Sequence, residues 1–83
     1  MTNSNNAEAK RLMNEAKVHL QDAELCLTEL KKSKAVLFRF GNKLSPMAVS
    51  DWNFRIEAWA NKHTANIKEA ELKAVMVSHL LAA

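Results

Sequence analysis

The chain has 83 residues, 48% of them apolar and 25% charged, with a formal net charge of +3. That length and balance describe one globular domain, residues 1–83. One Gly, one Pro and no Tyr exclude an all-β fold with many tight turns. They also exclude phosphate-binding loops, which need several glycines close together.

In chain order, residues 1–6 (Met-Thr-Asn-Ser-Asn-Asn) are polar and expected to fray. With no basic start followed by an apolar run, no signal peptide is predicted. Asn5 with Glu8 three residues on has the spacing of a capping box, so a helix is expected to begin there. Met13, Ala16, Leu20, Ala23, Leu27, Leu30, Lys34 and Leu37 then alternate three and four apart, and all but Lys34 are apolar. This is a heptad seam and predicts a long first helix. The all-apolar run Ala35-Val36-Leu37-Phe38 allows a break near Ser33. Gly41 is placed to end the helix as a left-handed cap, and Gly41 to Pro46 forms the main turn.

Ser45 followed by Pro46 restarts the chain as N-cap and first helical residue. Val49, Trp52, Ile56, Trp59 and His63 mark one helical face. Ile67, Ala70, Ala74, Val77 and Leu81 mark another. Joining the two registers would put Asn66 and Lys73 in the core. A break at 61–66 is therefore expected, with a new start at Thr64 or at Asn66, the latter backed by Glu69. The fold class is all-α: two or three antiparallel helices, the two-helix hairpin being the alternative to three.

So small a domain buries only about 60–65% of its unfolded surface, and small scaffolds need disulfides, a metal or a second chain. Cys26 is the only cysteine, so no disulfide can form within the chain. Self-association is the expected remedy, a homodimer through Met13, Ala16, Leu20, Ala23, Leu27, Leu30 and Leu37. The lone cysteine and the absence of a bilayer-length apolar run point to a reducing, cytoplasmic setting.

Glu15, His19, Asp22 and Cys26 lie along one helical stripe, and all are metal-ligand types. One straight helix cannot wrap four ligands around a tetrahedral ion, so no metal and no cofactor is expected. Cys26 reads instead as a small buried hydrophobe. His63 reads as a half-buried histidine with a backbone partner. Ser45, Ser50 and Ser78 lack the paired base and orienting carboxylate of a nucleophile, so no enzyme is expected.

Phe38, Phe40, Trp52, Phe54 and Trp59 fall within 22 residues around the turn. Phe54 projects away from Trp52, with Met47, Ala58 and Ala65 near it, which gives that helix two apolar faces. Lys31, Lys32, Lys34, Arg39 and Lys43 form a basic cluster, and no acid occurs between Leu30 and Ser50. Such a cluster suits phosphate or an acidic protein surface.

Leu44 to Trp52, with Ser45, Ala48, Val49 and Trp52 in place, resembles the recognition helix of phage-repressor-type helix-turn-helix proteins. The resemblance implies a DNA-binding regulator that turns Met47, Ser50, Asp51 and Asn53 toward bases. Met47, Asp51 and Asn53 are a poor reading head, since base readers are bidentate side chains and Asp is repelled by phosphate. The leading expectation is therefore a small regulator, adaptor or inhibitor; catalytically empty chains of this size are common among phage and mobile-element regulators and anti-defence inhibitors. It would dock on a larger protein through Lys31, Lys32, Lys34, Arg39, Lys43, Met47 and Phe54. DNA binding through residues 45–55 and 31–43 is the alternative.

Overall fold

A computed structural model describes the backbone of residues 2–82 and the side chains of residues 4–82. Helix α1 spans Thr2–Phe40, a 3-10 turn covers Gly41–Lys43, and helix α2 spans Pro46–Ala82. The two helices pack antiparallel along their whole lengths into a hairpin whose Cα trace measures 63 × 13 × 13 Å. The expectation of an all-α fold holds, in its two-helix form.

Three cross-helix hydrogen bonds mark the register. Asn5 Nδ2 donates to the Leu80 carbonyl at 3.4 Å, His19 Nδ1 meets Asn66 Oδ1 at 2.9 Å, and His63 Nδ1 meets the Ala23 carbonyl at 3.0 Å. On α1 the inward line runs Ala9, Leu12, Ala16, His19, Ala23, Cys26, Leu30, Ser33, Leu37. On α2 it runs Val49, Trp52, Ile56, Trp59, His63, Asn66, Ala70, Lys73, Val77, Leu80. Every residue on both lines is buried or half-buried. Both lines keep unbroken three-four spacing, the heptad pattern of helices that pack nearly parallel to each other's axes. On this register Cys26 lies level with Trp59 and Ser33 level with Trp52. Small side chains on α1 thus leave room for the two tryptophans of α2.

This corrects the break expected at 61–66, because α2 is continuous through it. Asn66 and Lys73 do fall on the seam, and the structure accommodates them. Asn66 bonds His19 and also donates from Nδ2 to the Lys62 carbonyl at 3.0 Å. The long, flexible stem of Lys73 can lie along the seam while its amine reaches water. No break occurs at Ser33 either. Its buried hydroxyl donates back to the Glu29 carbonyl at 2.9 Å, so burial leaves no polar atom unpaired.

The ends differ from expectation too. Helix begins at Thr2, so Asn5 is interior rather than a cap, and its amide ties the open end of the hairpin together. Met1 lies outside the described residues. Glu8 does not close a capping box and instead pairs with Arg11. Gly41 is not left-handed, and no described residue has a positive φ. A Cβ at Gly41 would meet only Leu37 Cδ1, at 3.8 Å, so another residue would fit. The turn closes through the Leu44 amide to the Gly41 carbonyl at 3.4 Å, and Leu44 is extended (φ −88°, ψ 149°). Ser45 then caps α2 as expected, its Oγ accepting from the Ala48 amide at 3.2 Å.

Candidate functional site

The hairpin has two ends and two long flanks, and their chemistry differs. The turn end carries Lys31, Lys32, Lys34, Arg39 and Lys43, all exposed. Arg55 joins them from α2, its guanidinium 4.7 Å from the centre of the Trp52 ring. Lys32 lies 3.6 Å from Glu29, a loose surface pair. Asp51 is the one acid on the facing stretch of α2. Elsewhere acids outnumber bases, so the rod is electrically polarised, with a positive turn end.

The same end exposes apolar side chains. Phe38 is 92% exposed, Met47 77% and Phe54 73%. Met47 and Phe54, seven residues apart, share the back of α2, away from α1. Phe38 stands on α1. The expected partner-binding residues are thus all on the surface and all at one end. They wrap around that end rather than forming one flat patch.

The flanks follow from the heptad positions beside the seam. One flank takes Glu8, Glu15, Asp22 and Glu29 from α1 and Arg55, Lys62, Glu69 and the exposed Met76 from α2. Arg11 bridges Glu8 and Glu15, the latter at 2.8 Å. The Arg11 hydrogen bond holds the Glu8 carboxyl below its ordinary pKa, and Glu8 in turn raises that of Arg11. Lys62 covers Trp59 at 4.9 Å. This flank is mostly charged, with Val18, Leu25, Leu72 and Met76 exposed on or just outside it.

The opposite flank takes Met13, Leu20 and Leu27 from α1 and Ala60, Ile67, Ala74 and Leu81 from α2. Met13, Leu20 and Leu81 are about half exposed. Met13, Ala16, Lys17, Leu20, Ala74 and Val77 line a groove of about 280 Å³ in it. The proposed dimer seam is therefore divided. Ala23 and Leu30 are buried against α2 within the chain, and Ala16 and Leu37 are half-buried there. Met13 and Leu20 are the seam residues left substantially exposed, with Leu27 half-buried between the two surfaces. The seam misread the core by one position per heptad, because Ala16, Ala23, Leu30 and Leu37 belong to both stripes.

The stripe Glu15, His19, Asp22 and Cys26 is dispersed. Glu15 pairs with Arg11, His19 with Asn66, Asp22 faces solvent, and Cys26 is a buried free thiol. No three metal-ligating side chains among the described residues come together. His63 is half-buried with a backbone carbonyl partner, as read from the sequence. No described helix is long and apolar enough to cross a membrane.

The resemblance to a helix-turn-helix does not extend to the geometry. That motif sets two helices at about 90–120° across a short turn, whereas here the helices run antiparallel from the turn onward. No known protein family, curated protein or solved structure matches the chain.

Proposed function

We propose that the chain is a non-catalytic interaction module, a regulator, adaptor or inhibitor that docks its turn end on an acidic surface of a larger protein. The observation that carries this reading is the coincidence, at one end of a rod, of six exposed bases with Phe38, Met47 and Phe54 in water. Exposed aromatics and Met supply contact area, while the bases steer encounter and choose an acidic partner. The module works as a homo-oligomer, because a two-helix rod with this many half-exposed apolar residues has too small a core to be comfortable alone.

Duplex DNA is the competing partner for the same bases, and the basic cluster is what favours it. The two separate in one experiment. Lys32, Lys34 and Lys43 are replaced together by Glu, and binding is followed against salt. For a protein partner, recovered from lysate after nuclease treatment, the triple variant slows association and Phe54→Ser shortens the lifetime of the complex. For DNA, log affinity falls with log salt by about 0.9 per phosphate contact. Submicromolar duplex binding at physiological salt, abolished by the triple variant, would replace the protein reading with the DNA one.

A further inference from the structure

We infer that the acidic partner of the turn end lies along the outward face of α1 as a helix, its carboxylates on Lys31, Lys32 and Arg39 and an apolar side chain against Phe38. The inference rests on the reading above and deepens it, by naming the face and the kind of element that meets it.

Ala35 lies two positions from the inward residues Ser33 and Leu37, and Thr28 two positions from Cys26 and Leu30. At about 100° per residue, both point almost directly away from α2. Both are exposed. The Thr28 hydroxyl is already occupied, donating to the Glu24 carbonyl at 3.0 Å, and Ala35 carries only a methyl group. Together they make a low line down the back of the helix. Lys31 and Phe38 stand on one side of it, Lys32 and Arg39 on the other, and all four are exposed. The result is a shallow groove with raised rims, about 17 Å long from Thr28 to Arg39. A second helix seats on a helix by fitting its ridges into such grooves. It also repeats its own side chains every two turns, at a rise of about 10 Å. Carboxylates at that spacing come level with Lys32 and Arg39 together.

Charge decides the occupant and the side. No acid follows Glu29 on α1, and Glu29 meets Lys32 only loosely, at 3.6 Å. Lys31, Lys34 and Arg39 make no ion pair among the described residues. Their charge is uncompensated, so an acidic helix is attracted there and a basic one is not. The back of α2 at the same end differs. Asp51 stands there between Met47 and Phe54, and Arg55 is the only base from Pro46 to Asn61. Arg55 lies over the Trp52 ring at 4.7 Å. An acidic element is repelled from that side by Asp51. Phe38 then separates a protein helix from a phosphate backbone. A rim aromatic at 92% exposure gives phosphate nothing to bond, while an apolar side chain of a helix covers it.

The test follows chemical shifts of the intact, isotopically labelled chain during titration with a synthetic peptide. The probe is an acidic helix of about 20 residues, long enough to cover the groove, with Glu rows on either side of a Leu and Ala line. The references are the same peptide with a central Pro, which breaks the helix, and a short duplex DNA. Shifts are expected at Lys31, Lys32, Ala35, Phe38 and Arg39. Lys31→Glu with Arg39→Glu should weaken binding about tenfold, as should Phe38→Ser, whereas Phe54→Ser should change it less than about threefold. Shifts centred on Met47 and Phe54 overturn the α1 face but leave docking at the turn end standing. Equal binding of the Pro peptide overturns the helical occupant. Shifts shared equally with Lys10, Lys17 and Lys68 overturn the inference and the turn-end reading together. No binding at millimolar peptide removes the α1 face as a seat for an acidic helix. Duplex that occupies the same residues more tightly than the peptide, and is indifferent to Phe38→Ser, gives the site to DNA.

Discussion

The His19–Asn66 bond joins the two helices side chain to side chain, at the point where α2 runs on through 61–66. Asn66 donates from Nδ2 to the Lys62 carbonyl, which leaves Oδ1 facing His19 at 2.9 Å. An amide oxygen only accepts, so His19 carries its proton on Nδ1. Both residues are half-buried, so the bond exchanges with water only partly. A neutral bond of this kind contributes about 0.5–1.5 kcal/mol net. Asn66→Ala alone loses that bond but gains about 0.6 kcal/mol of helix propensity, so its net effect is small. A double-mutant cycle cancels the propensity and side-chain size terms. With His19→Ala, Asn66→Ala and the double variant, a coupling of about 1 kcal/mol is expected, roughly fivefold in the unfolding equilibrium. Urea unfolding at one fixed protein concentration measures it, since association would otherwise shift the midpoints. A coupling within about 0.3 kcal/mol of zero would show that the pair does not link the helices.

Other outcomes follow from single residues. Ser45→Ala removes the α2 cap and should cost about 1 kcal/mol in the same urea assay. Trp59→Ala should cost about 3 kcal/mol, the lower part of the range for large aromatics, because the ring is half-buried and covered on one side by Lys62. Phe54→Ser, at 73% exposure, should leave the midpoint within about 0.5 kcal/mol, and an equal loss in both variants would place Phe54 in the core. Glu8 should titrate below an ordinary glutamate by NMR and return toward it in Arg11→Ala. Because its folded value is lowered, its contribution to stability is present above the unfolded value and disappears as pH falls through the folded one.

The helices, the turn and the Ser45 cap were legible because Ser-Pro, the single Gly and three-four spacing are local signals. The inward line of α1 was not, because hydrophobicity ranks Met13, Leu20 and Leu27 above His19, Cys26 and Ser33. Only the facing helix shows that small and polar residues are what two tryptophans and Asn66 require. The same reasoning failed at 61–66, where Asn66 looked like a helix start. Its partner is 47 residues away, and no local pattern reports such a pairing. The basic, aromatic turn end could be read directly, since charge and aromatic clustering survive in sequence order. The contrast between the two flanks could not, because it appears only once the seam is known to one residue.

Protein docking at the turn end, as proposed above, can be tested in lysate. The most direct measurement places a photo-activatable cross-linker at Phe38, at the turn end, and at Val18, midway along α1, and illuminates each in lysate. A turn end that docks a protein gives a discrete adduct from position 38 that survives nuclease and is lost when Lys32, Lys34 and Lys43 become Glu. An adduct from position 18 alone, or one from position 38 that nuclease removes, would contradict it.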